Sequence, residues 1–115
     1  MASYAGYNWD VYERDKFVCQ YCGFDGKESL SNWLLLSIDH LLPEGHPKRN
    51  DNEYQTVACR YCNEADNRYF AKLKQRELSV EGKTRQQLID QRSKYVQESR
   101  TQYESDWKSR VAIKK

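Results

Sequence analysis

Apolar residues in this chain come in short, separated runs. The longest, Trp33 to Leu36, has the length of a strand. With Ser37-Ile38-Asp39 behind it, it predicts a strand over residues 33–39, and Pro43 and Gly45 end it. A second strand is predicted over Tyr54 to Ala58, after a polar loop at 42–53. Upstream, residues 9–15 read as a short helix or turn, 17–23 as a tight knuckle ending in Gly23, and 24–32 as polar loop. A helix is predicted from Cys59 or Cys62 through Ala65, Tyr69, Phe70 and Leu73 to about Leu78, where Glu81-Gly82 breaks the pattern. Thr84 then reads as an N-cap with Gln87 three residues on, a capping box. The long helix behind it carries Ile89, Val96, Tyr103 and Trp107 on one face, flanked by Leu88 and Val111. We read that stripe as packing on the rest of the domain. Its rivals are a dimer seam, or a DNA-facing helix whose Arg92, Lys94, Arg100 and Arg110 meet phosphates.

Composition sharpens this picture. Only 38% of 115 residues are hydrophobic, while nine Tyr and three Trp supply much of the apolar area. So lean a core needs a staple. No run approaches the length of a membrane span. The N-terminus has neither a basic region nor an apolar one of the kind a signal peptide needs, so a reducing, cytoplasmic setting is expected. Net charge is +2, divided as +4 over residues 84–115 and −2 over residues 1–83. A basic tail of that size suits either phosphate contact or a solvated helix face.

The staple is legible. Cys19-Gln-Tyr-Cys22 and Cys59-Arg-Tyr-Cys62 use all four cysteines of the chain. Two residues between thiolates let both sulfurs of a knuckle reach one ion, and two knuckles complete a tetrahedron for structural Zn²⁺. Disulfides fit poorly with a reducing compartment, and a redox pair needs only one such motif. An iron–sulfur cluster is a further rival. Four sulfurs leave this metal no open position, so any catalysis must come from elsewhere.

Asp39-His40 closes the first predicted strand, and Asn63 directly follows the last cysteine. If the strand end lies over the first turn of the helix, Asp39, His40 and Asn63 converge. A hard cation such as Mg²⁺ prefers oxygen ligands, which Asp39 and Asn63 Oδ1 supply. His40, on the opposite side of the strand from Asp39, can accept a proton from water as neutral imidazole. The bland alternatives are a turn-forming Asp, a surface histidine and a helix-capping Asn. Lys48 and Arg49 are candidate phosphate contacts, as is Arg60 inside the second knuckle. His46 reads as a surface loop histidine, and Arg14 as the partner of Asp15. Tyr4, Tyr7, Trp9, Tyr12 and Trp33 read as core.

Three segments together resemble the HNH endonuclease family: Tyr12 to Gly23 with its Arg-Asp and C-x-x-C-G, Ile38-Asp39-His40-Leu41-Leu42-Pro43, and Val57 to Asn63. Order and spacing agree over roughly residues 9–70. The resemblance implies a small α+β fold, a ββα-metal (HNH) core of two antiparallel strands and a helix. It implies His40 as general base, and Asp39 and Asn63 as ligands of a catalytic divalent cation, Mg²⁺ or Mn²⁺. It also implies structural zinc on Cys19, Cys22, Cys59 and Cys62, and DNA as partner. The domain would then occupy residues 1–83, with an amphipathic C-terminal helix over 84–115 packed on it or pairing with a second copy. The chain departs from the family pattern twice. Tyr54 stands where relatives place an Asn that orients the base, a role open to Asn50, Asn52 or Tyr54 itself. Asp66-Asn67-Arg68 stands where relatives carry a Lys, so Arg68 is the candidate for phosphate binding there, and Asp66 is either a further ligand or a solvated charge. Against the enzyme stand a zinc-ribbon module that binds nucleic acid without cutting it, and a purely structural zinc domain.

Overall fold

The computed structural model describes residues 8–66 and 80–114. Asn8 caps α1 (Trp9–Arg14), its side chain accepting from the Val11 amide at 3.4 Å. The chain then reverses through Lys16 and Phe17, which hold φ of 59° and 58°. Non-glycine residues seldom adopt this left-handed region. Packing holds them there: the Phe17 ring stacks on Tyr12 at a centroid distance of 6.3 Å, and its amide donates to the Tyr12 carbonyl at 3.0 Å. The reversal feeds the first knuckle, where the Gly23 amide bonds the Cys19 carbonyl and the Cys19 amide bonds Phe24, both at 2.9 Å.

The apolar run at 33–36 does not begin a strand. Ser29 caps a short helix, α2 (Leu30–Leu34), its hydroxyl accepting from the Asn32 amide at 3.0 Å. Strand β1 (Leu36–His40) starts only after Leu35 has closed that helix. The predicted strand at 33–39 is therefore displaced, and part of the predicted polar loop is helical. A run of four apolar residues carries no period to separate helix from strand, and the Ser29 cap decides it. Leu34 and Leu35 are left exposed.

Strand β2 (Gln55–Cys59) pairs with β1 antiparallel, from Leu36 opposite Cys59 to His40 opposite Gln55. Tyr54 closes a 3₁₀ turn (Asn52–Tyr54) instead of opening the strand. β2 is buried along its whole length and serves two cores by its alternation. Val57 packs with Val11 and Tyr12, and Ala58 packs on the other side with Leu41, Leu88 and Val96. Helix α3 follows at once, with residues 60–66 helical. The predicted continuation through Tyr69, Phe70, Leu73 and Leu78 lies outside the described residues, as do Arg68, Tyr4 and Tyr7.

The last helix, α4 (Arg85–Asp106), starts at the predicted capping box: the Thr84 hydroxyl accepts from the Gln87 amide at 3.2 Å, and the Gln87 side chain accepts from the Thr84 amide at 2.8 Å. A π-helical turn (Trp107–Val111) and a 3₁₀ turn (Ala112–Lys114) extend it. Only its first half follows the packed-stripe reading. Leu88, Ile89 and Val96 are buried against the domain, whereas Tyr103 and Trp107 are 52% and 46% exposed. The stripe outruns the core that could cover it. No described helix is long and apolar enough to cross a membrane.

Asp15 ties these pieces together. Its carboxylate accepts from Arg14 at 2.9 and 3.1 Å, from the Val57 amide at 2.9 Å, from the Thr56 hydroxyl at 3.2 Å and from Arg85 of α4 at 3.2 Å. One buried acid thus joins α1, β2 and α4, and Arg14 serves as its structural partner.

The two halves of α4 should respond differently to truncation. With metal bound, Leu88→Ala is expected to cost about 2–5 kcal/mol in denaturant unfolding, the range for emptying a buried leucine site. Trp107→Ala in the same assay, run on dilute protein where single chains are measured, should stay within about 0.5 kcal/mol, as surface changes do. Equal losses for both would contradict the division of the helix into packed and exposed halves.

Candidate active site and metal centre

The first knuckle and the junction of β2 with α3 bring Cys19, Cys22, Cys59 and Cys62 together, with their sulfurs all within 4.8 Å of one another. Cys22 and Cys59 sulfurs are 3.8 Å apart, and none of the four is in a disulfide. Such crowding makes the thiols compete. Hydrogen bonding to Cys19 pulls Cys59 down to about 7, with Cys22 opposing and Cys62 assisting. Cys22 is likewise lowered, chiefly by Cys19. Cys19 is raised, foremost by Cys22, and Cys62 is raised, foremost by Cys19. Four thiolates this close repel unless a cation neutralises them. The soft, closed S₄ donor set fits a structural metal of the zinc type.

At the other end of the ribbon, β1 ends in Asp39-His40. Asp39 is 3% exposed, and both its oxygens are engaged. Oδ2 accepts from the Tyr21 hydroxyl at 2.6 Å, and Oδ1 accepts from the His40 amide at 2.9 Å. Burial and the Asp39 charge push the Tyr21 phenol well above its ordinary range, which keeps it a donor. Asn63, in the first turn of α3, donates its side-chain amide to the Ser37 hydroxyl at 2.8 Å and to the Ile38 carbonyl at 3.2 Å. Helix α3 therefore lies directly over β1, and the Asn63 amide sits beside the residue that precedes Asp39.

One turn on, Asp66 meets the Asp39 carboxylate. Burial, then Asp39, pushes the Asp66 carboxyl up to about 10, while Arg92 pulls it the other way. Asp66 is fully buried, so the reading of a solvated charge at this position is overturned. Arg92 Nε lies 2.9 Å from Asp66 Oδ1, and Arg92 also donates to the Leu41 carbonyl. At 1% exposure Arg92 cannot face phosphates, which removes it from any DNA-facing row on α4.

His40 is half-buried. Its pKa is lowered by burial first and by the Arg49 charge second, against the pull of Asp39. The imidazole is thereby held neutral at physiological pH. Among the described residues, none of the three candidates for orienting it is hydrogen-bonded to its ring. Asn52 turns to Asn8, accepting from its amide at 2.8 Å, and the Asn50 carbonyl accepts from Gln55 at 3.0 Å. Tyr54 packs on the main core, and its carbonyl takes the Leu41 amide at 2.8 Å.

The cationic candidates divide. Arg49 is half-buried near His40, and Lys48 beside it is exposed. Arg60 is not with them: it follows Cys59, at the opposite end of the ribbon from His40, and pairs with Glu64 at 3.5 Å. Four strand steps separate the two ends, about 13 Å at the rise of a strand. His46 is tied into its loop, 3.3 Å from Glu81 and accepting from the Lys48 amide at 3.1 Å. Arg68 lies outside the described residues.

The sequence did not point to Tyr21, and it offered Arg92 only as a phosphate contact and not as a buried partner of Asp66. Arg92 had a signal, a charge set among Leu88, Ile89 and Val96 on the buried face of α4. Such a residue must take a buried partner with it. Tyr21 had none, because the same tyrosine position of the second knuckle, Tyr61, stays half-buried.

Comparison with curated proteins and with solved structures finds no match. A family comparison does: residues 19–68 match HNH endonuclease. That span begins at the first cysteine and takes in both knuckles, Asp39-His40 and Asn63. Residues 19–68 of this chain are thus an HNH-family segment, built as a two-stranded ribbon and helix around a four-cysteine cluster.

Proposed function

We propose that this chain is a metal-dependent endonuclease that hydrolyses phosphodiester bonds of DNA. The observation that carries the reading is the hydrogen bond from Asn63 to the Ile38 carbonyl, which sets the amide next to the Asp39-His40 strand end. In this reading His40 is the general base. Its neutral ring takes a proton from the attacking water at an imidazole nitrogen. Asp39 and Asn63 Oδ1 would hold Mg²⁺ or Mn²⁺, with the Asn63 amide nitrogen already spent on β1. When bound, the cation supplies charge stabilisation to the phosphate and the leaving oxygen. Tyr21 keeps the Asp39 carboxylate aimed by donating to it. Lys48 and Arg49 position the backbone beside the cut, Arg68 is assigned the same task, and Arg60 reaches phosphates away from it.

In the same reading residues 1–83 are the nuclease domain and 84–115 its helical brace. The four cysteines hold zinc, which a reducing cytoplasm would leave undisturbed by disulfides. One observation favours a second reading, a zinc-ribbon module that holds DNA without cutting it. Asp39 is almost inaccessible and already occupied by Tyr21 and the His40 amide, and a ligand must open toward solvent to meet substrate.

Plasmid nicking separates the two. The enzyme requires cleavage in Mg²⁺ or Mn²⁺ and none in EDTA, with His40→Ala lowering the rate by roughly 10²–10⁴-fold, the usual weight of a general base. Asp39→Asn should leave the far-ultraviolet circular dichroism unchanged and abolish cleavage. If Asp39→Asn still cuts, Asp39 is not a ligand. DNA binding without cleavage under any metal selects the module.

The sulfur cluster has its own test. Cys59→Ser should lose its metal in a chromophoric zinc assay and unfold, because structural zinc contributes its binding free energy to folding. A folded, metal-free Cys59→Ser protein would remove the cluster from its structural role.

A further inference from the structure

The end of the ribbon away from His40 opens into a groove of about 1000 Å³. It runs between the start of α3 and the outer half of α4, and Phe24, Leu35, Tyr61, Tyr103 and Trp107 form its apolar lining. Tyr61 meets Tyr103 edge to face at 6.1 Å, which fixes one wall. Beyond the groove the apolar stripe continues to Val111, 57% exposed, and Ile113, 69% exposed. The last buried residue of α4 is Val96, so the helix carries this stripe about 22 Å past the core, at roughly 1.5 Å per residue. A four-residue step overshoots one turn of an α-helix, so Trp107 is rotated away from Tyr103. The wider π-helical turn at Trp107–Val111 makes the next step fall short of a turn instead. Val111 thereby returns to the line of Tyr103, and the three present one face.

The charges beside that face choose its occupant. The groove holds two cations, Arg60 and Arg100, and two anions, Glu64 and Glu104. Glu64 is 3.5 Å from Arg60, and Glu104 is 3.2 Å from Lys108. A phosphate backbone entering here meets a carboxylate for each guanidinium. An antiparallel copy of the same helix meets complementary groups. Pairing two α4 segments about Trp107 sets Tyr103 against Val111, Glu104 against Arg110 and Asp106 against Lys108, each pair occurring twice by symmetry. Only the outer pair, Arg100 with Lys114, is like-charged. A parallel pairing sets every one of these charges against itself.

We propose that the outer half of α4 and the groove behind it are a self-association surface. Two copies of this chain pair antiparallel through Tyr103, Trp107 and Val111, with Glu104 and Arg110 fixing the register. The proposal does not depend on what the site at His40 does.

The test is the mass of the zinc-loaded full chain in solution, by light scattering and sedimentation across a concentration series. The wild type should shift from one chain to two as concentration rises. Trp107→Ala should remain a monomer with unchanged circular dichroism. Glu104→Arg and Arg110→Glu should each weaken the dimer by roughly tenfold in Kd or more, since each breaks two pairs. The double variant Glu104→Arg/Arg110→Glu recreates the pairs with signs exchanged and should recover most of the loss. A single-chain mass at every concentration overturns the proposal, as does a dimer indifferent to Trp107. A monomer whose Trp107→Ala variant loses affinity for single-stranded DNA also overturns it, and assigns the groove to base stacking.

Discussion

Cys22 and Cys59 stand 37 positions apart in the chain and 3.8 Å apart in space. Closing a loop of that length costs several kcal/mol of chain entropy before any contact repays it. A metal on the four sulfurs would close it with its binding free energy, and the ribbon would follow from the closure. Cys19 and Cys22 bracket Tyr21, while Cys59 and Cys62 bracket the passage from β2 into α3. Clamping them together forces Tyr21 under the strand end and turns α3 across β1. Both consequences reach the candidate site: the first gives Asp39 its hydrogen bond, the second brings Asn63 to Ile38.

A second layer of order is polar. Asp39, Tyr21, Asp66 and Arg92 form a buried network with members from β1, the first knuckle, α3 and α4. Two carboxylates in contact within a protein interior cannot both ionise without a cation nearby. Arg92 only partly offsets this, since Asp66 is still pushed up to about 10, and it does so from the helix farthest along the chain. Asp15 plays the matching part on the opposite side of the ribbon, with Arg14 and Arg85 as its cations. A lean apolar core is thus supplemented by two acids whose partners are spread over distant elements. Such networks specify one arrangement more than they add stability.

The cysteine pairs, the capping box and the Asp-His pair were legible because each is local. A knuckle, a cap or an Asp-His pair is fixed by neighbours within four residues. The displaced start of β1 shows where locality fails. Trp33 to Leu36 is apolar throughout, and only the hydroxyl of Ser29 turns its first half into helix. The surroundings of the site were less legible. That the Asn52 side chain turns toward Asn8 rather than toward His40 is decided across the fold. So is the burial of Asp66 by Arg92, and so is the exposure of Tyr103 and Trp107, whose spacing alone matches that of packed residues.

This last point bears on what α4 is. By sequence it follows the HNH segment as a separate tail. By contact its first half belongs to the site, because without Arg92 the Leu41 carbonyl loses its donor and Asp66 loses its counter-charge beside Asp39. The surroundings of the proposed metal ligand thus depend on a residue 53 positions downstream of it. The second half of the same helix has no such duty, and its apolar residues remain where a monomer leaves them open to water. One continuous helix therefore joins two environments with opposite demands: a buried charge that steadies the strand end, and an exposed apolar face that asks for a cover.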